Sequence, residues 1–194
     1  MREIKPDAYG PAARELISKA FSEQRPSTLL FGSPSPEALP ALRGMTDQTI
    51  SNNRRVRMPF DAQALHAALW LLFDYMKESH DISQNIATPS GSYWHAILHR
   101  REGDAGNAKY WVARVGDHPI FPEMLADAQD IAAGAGAAGR MLAGDLQNMT
   151  TWNEGWLVDR CATPADPATT KVLLQLQQRQ WQLLFDYNYK KAFA

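Results

Sequence analysis

The amino-acid sequence predicts an all-α fold, a single-domain helical bundle of about six helices with an irregular proline-rich N-terminal arm. Two long stretches repeat apolar residues at helical spacing, five shorter ones carry the same signal more weakly, and no run alternates apolar and polar residues as a half-buried strand would. At 194 residues, 45% of them hydrophobic, the chain is long enough to bury a sizeable core, and residues 1–194 are expected to form one domain.

Taken in order, a short helix is expected over Pro11–Phe21. Residues 22–59, with SPSPEALP inside them, are rich in proline and turn residues and read as an irregular arm, interrupted by a small helix around Leu39. From Asp61, a good N-cap, Leu65, Leu69, Leu72, Phe73 and Met76 define one buried stripe that runs through Ser79 to His80. Weaker helices are expected over Ser92–Glu102, Ala105–Val115, Pro122–Ala133 and Trp152–Cys161. Between the last two, residues 134–150 are glycine- and alanine-rich and read as a linker within the domain. The final helix, Asp166–Lys190, sets Leu173, Leu176, Leu184 and Tyr187 on one face, with lysines in its last turns, where they suit the negative end of the helix dipole. The pentapeptide LLFDY occurs twice, at Leu71–Tyr75 and Leu183–Tyr187, but the flanking sequences do not align, so chance convergence is favoured over duplication.

Composition removes several function classes. Twenty basic against twenty-one acidic residues leave no net field to attract nucleic acid or an anionic membrane. The longest apolar run, Ala67–Phe73, is far short of the about 20 residues that span a bilayer. A single cysteine, Cys161, and a polar start, MREIKPDAYGPAARE, lead to the expectation of a cytoplasmic protein without disulfides. Cys161 sits at a helix C-terminus, where the dipole disfavours a thiolate, so an inert thiol is expected. GAGAAG, with Gly134, Gly136 and Gly139, fits a dinucleotide-binding pattern, but an alanine-rich helical segment rather than a strand precedes it.

The chemistry concentrates between Ser92 and Pro119, which hold three of the five histidines. On a helix each residue advances the direction by about 100°, so His95, His99 and Glu102 share one narrow stripe. Tyr93, Trp94, Ile97 and Leu98 fall on roughly the opposite side, expected to be core. Arg101 lies inside that apolar arc and is tolerated there only if a carboxylate such as Asp74 or Asp104 pairs with it. A short connection, DISQNIATPSG, folds the chain back and can bring His80 to the histidine stripe. His80, His95, His99 and Glu102 are therefore the candidate ligands of a divalent metal, zinc, iron or manganese, that would activate water or bind oxygen. Ring nitrogens within about 4 Å of one another are what such a centre requires, given zinc–nitrogen bonds of about 2.0–2.1 Å.

A second set, Arg100, Asn107, Tyr110, Trp111, Arg114 and His118, suits a pocket for a small polar or anionic molecule, where arginine grips an oxyanion and aromatic faces stack on a ring. The string YWHAILHRREGDAGNAKYWVARVGDHP also resembles a block that recurs in uncharacterised bacterial proteins, HAI-x-HRREGD followed by NAKYW and HP. That resemblance implies kinship with a family of unknown activity and assigns no role to any residue. Three functions follow as expectations: a metal-dependent enzyme, a metal-free binding protein for a small anion, or a helical module whose histidine stripe and arm meet a protein partner.

Overall fold

The computed structural model describes residues 8–164 and 166–193. The polar segment over residues 1–7 lies outside them. Every regular element is helical. α1 (Pro11–Ser22) is followed by a 3-10 turn (Pro36–Ala38), α2 (Leu39–Arg43), α3 (Asp47–Ser51), α4 (Pro59–Leu72), α5 (Met76–Ser83), α6 (Pro89–Glu102), α7 (Ala105–Val115), α8 (Phe121–Gly134), α9 (Gly136–Gln147), α10 (Glu154–Ala162) and α11 (Pro167–Phe193). The all-α class stands, and the count of about six is corrected to eleven α-helices among the described residues.

Each discrepancy has a local cause. The long helix expected from Asp61 to Ser79 is two helices, because Asp74 sits in the left-handed region at φ 65° and breaks the chain between α4 and α5. Aspartate tolerates that conformation better than most residues, and here its carboxylate is held by Arg25, Arg101 and the Gly32 amide. Asp61 lies in the first turn of α4 rather than at the N-cap, which is Met58. The expected linker over 134–150 is mostly α9: a sharp turn at Gly136, φ 60°, ends α8, and the following residues bury Gly139, Leu142 and Leu146. Alanine is the strongest helix former, so glycine content misrepresented that segment. The arm contains two short helices, α2 and α3. It is tied to the bundle where the Phe31 amide donates to Arg101 O, at 2.8 Å, and Tyr75 Oη to Ser35 O, at 2.9 Å.

The core lies between α4, α6 and α11. Trp94, Tyr93, Leu98, Leu65, Leu69, Leu173, Leu184 and Phe185 are almost wholly buried there. Polar contacts set the register of these helices. Trp94 Nε1 donates to Asn188 Oδ1 at 2.9 Å, Asn188 Nδ2 to Asp61 Oδ1 at 2.7 Å, and Trp181 Nε1 to Ala68 O at 3.0 Å. α5 and α7 pack against α6 on the side away from this core, and that arrangement creates the site. Among the described residues, no helix is long and apolar enough to cross a membrane.

Candidate metal centre

Three local features deliver the histidines. The break at Asp74 lets α5 leave the axis of α4, and His80 lies in its second half. The chain then returns through residues 84–88 to α6, whose N-cap, Thr88, accepts from the Gly91 amide at 3.1 Å and whose first residue is proline. A side chain at Gly91 would put its Cβ 2.3 Å from Ile86 O, so only glycine lets this connection lie flat on the first turn of α6. After α6 the left-handed Gly103 and the Asp104 N-cap turn the chain into α7, which covers the same face.

As a result, His80, His95 and His99 each offer a ring nitrogen within 4.8 Å of the other two. Ring centroids are 4.7 Å apart for His80 and His95, 4.6 Å for His95 and His99, and 5.5 Å for His80 and His99. His95 and His99 are buried and His80 is half-buried. The histidine stripe is thus enclosed by α5 and α7. Zinc with tetrahedral bonds of about 2.0–2.1 Å needs ligand nitrogens about 3.3 Å apart. The 4.8 Å within which the trio falls is looser than that and looser than the 4 Å expected of a shared site.

The outer nitrogens of His95 and His99 are already engaged. Glu102 Oε2 lies 2.7 Å from His99 Nδ1. A carboxylate only accepts, so Nδ1 carries the proton, and in the neutral ring Nε2 keeps the lone pair. Ser83 Oγ donates to His80 O at 3.5 Å and stands 3.3 Å from His95 Nδ1. In the Nδ1–H tautomer of His95 the hydroxyl accepts from that ring, whose Nε2 then keeps the lone pair. Metal-binding histidines are oriented in this way by an outer partner. The amide of Asn107 lies 3.1 Å from His99 Nε2, and a metal there would displace it. Burial first, then the nearby His99 and His80, push the His95 imidazole down to about 3, so it is neutral and able to ligate at neutral pH. Trp111 from α7 lies against His95, with ring centroids 4.1 Å apart at 33°, and closes the site from that side.

The other sequence candidates separate. Glu102 supports His99 from behind and is not one of the three converging groups. Arg100 points to the opposite side of α6, into a buried ion pair with Glu154 and a 3.2 Å contact with Gln177 Oε1. His118 is buried beside Ser90 Oγ at 3.1 Å, and burial followed by Lys191 lowers it to about 4. Neither reaches the histidines. Tyr110 is exposed, and Arg114 donates to its Oη at 2.5 Å while lying over the rings of Tyr110 and Trp111. Arg101 pairs with Asp74 at 2.6 Å and donates to Leu71 O at 2.9 Å, the pairing its place in the apolar arc demanded. Cys161 is buried, and burial raises its thiol to about 11. GAGAAG spans the end of α8 and the start of α9, with no strand to present a nucleotide. Ser83 was not singled out from the sequence, although it lies three residues after His80 on the same helical face.

Comparison with protein-family models, with curated proteins and with solved structures finds no match. The reading of the site therefore rests on its own geometry.

Proposed function

We propose that the protein binds one divalent transition metal through His80, His95 and His99, and that the metal serves a hydrolytic reaction. The observation that carries this is the enclosed convergence of three imidazoles, two of them with Nδ1 held by Ser83 and Glu102. Three imidazoles with no carboxylate among them suit zinc better than manganese, and better than iron, for which a carboxylate ligand is common. A three-ligand zinc site leaves a fourth position for water, whose pKa the metal lowers toward neutrality.

Metal analysis of protein purified without a histidine tag, followed by zinc titration of the metal-free chain, tests the reading. One zinc per chain, lost on His95→Ala, is the expected result. A metal-free protein that also takes up no added zinc, iron or manganese would overturn it.

A further inference from the structure

Beside the histidines lies an open cleft of about 430 Å³, lined by residues 84–89, Ser92, Trp111 and Arg114. Trp111 is shared: one side of its ring lies on His95 and it also forms a wall of the cleft. No lining residue is acidic, while Arg114 brings a positive charge. Among the described residues no carboxylate pairs with that guanidinium, which is propped on the rings of Tyr110 and Trp111, its carbon 5.0 and 5.6 Å from their centroids. Its remaining N–H groups are available to a ligand. Ser92 lines the same cleft, is 8% exposed, and its hydroxyl has no hydrogen-bond partner among the described residues. The N-terminus of the 14-residue α6 also opens here, at Thr88 and Pro89, and adds a partial positive charge.

We propose that this cleft seats a small molecule carrying a carboxylate or phosphate that Arg114 and Ser92 hold, with a flat apolar portion against Trp111. The volume suits a ligand of modest size. Arginine supplies the fork that grips a planar or tetrahedral oxyanion, and the indole supplies a face for a ring. The anion seat stands on its own residues and does not depend on the metal reading.

Calorimetric titration of the full chain, zinc-loaded and zinc-free, with phenyl phosphate and with benzoate tests this, with inorganic phosphate and acetate as ringless controls. At least one ringed probe should bind with a stoichiometry of one and more tightly than its control. The tighter of the two identifies the oxyanion. Arg114→Ala should weaken binding by about tenfold or more, as loss of a charged hydrogen bond does, and Ser92→Ala by less. Arg114 is exposed, so its variant keeps the fold, and unchanged zinc uptake verifies that. Failure of both ringed probes to bind, or equal binding by Arg114→Ala, would overturn the cleft even if zinc is taken up. Arg114-dependent binding by a chain that takes up no zinc would instead overturn the metal reading and leave the cleft as an anion site.

Discussion

The two faces of α6 both bury polar groups, and they do so in opposite ways. On one face Arg100 meets Glu154, whose Oε2 also accepts from Tyr93 Oη at 3.0 Å, Trp152 Nε1 at 3.0 Å and Gln180. That carboxylate is saturated by its own protein, and its charge is cancelled. On the other face His80, His95 and His99 point nitrogens toward one another, among the described residues with no anion between them, and Glu102 stands behind His99. A closed network fixes how helices dock, while a set of converging lone pairs is complete only when a cation joins it. Both faces of α6 hold charged or titratable groups, and only what meets them separates structure from site.

The largest effect is expected from breaking the closed face. Glu154→Ala strands Arg100 in the core and should cost about 3–5 kcal/mol, as loss of one partner from a buried pair does; urea unfolding measures it, and a loss below about 1 kcal/mol would mean that water reaches the pair. The open face should respond to zinc instead. At 100 times its dissociation constant zinc should stabilise the wild type by about 2.7 kcal/mol, and His95→Ala or His99→Ala should abolish that increment in the same assay. An equal increment in the variants would place the zinc elsewhere.

Most of the first face was legible in the sequence. Tyr93, Trp94, Ile97 and Leu98 announce core by helical spacing, and Arg101 inside that arc announces a partner, found in Asp74. The stripe of His95 and His99 was equally legible, and the turn back to His80 followed from a short connection. What the sequence did not carry was tertiary. Glu154, which claims Arg100, comes 54 residues later, and Asn107, which meets His99, lies on another helix. LLFDY makes the same point. At Leu71–Tyr75 it ends a helix with Asp74 left-handed, drawn by two arginines, whereas at Leu183–Tyr187 it continues through the middle of α11. One pentapeptide takes two conformations because different side chains meet it.

Two smaller effects sharpen the comparison. Gly91→Ala pushes the α5–α6 connection off α6 and should cost about 1–3 kcal/mol, as overpacking does. It should also weaken zinc binding, because it moves His80 away from His95; retention of wild-type affinity would show that the connection does not position the site. Glu102→Gln removes the anion behind His99 and should weaken zinc by about tenfold with little change in stability.

A further effect is one of pH on the metal-free protein. His95 and His118 are held down to about 3 and 4, below their ordinary value of 6.5. Between those limits the unfolded chain binds more protons than the folded one, so stability is lost as pH falls below about 6.5. The urea midpoint should drop from about pH 7 to about pH 5, and drop less in His95→Gln. Identical slopes in the two proteins would mean that His95 is not buried as a neutral ring.

X-ray absorption at the zinc edge of the loaded protein tests the central claim most directly. Three imidazole nitrogens at about 2.0–2.1 Å, falling to two in His80→Ala, is the expected spectrum. Fewer than three imidazoles in the wild type, or a spectrum unchanged by His80→Ala, would contradict a centre built from His80, His95 and His99.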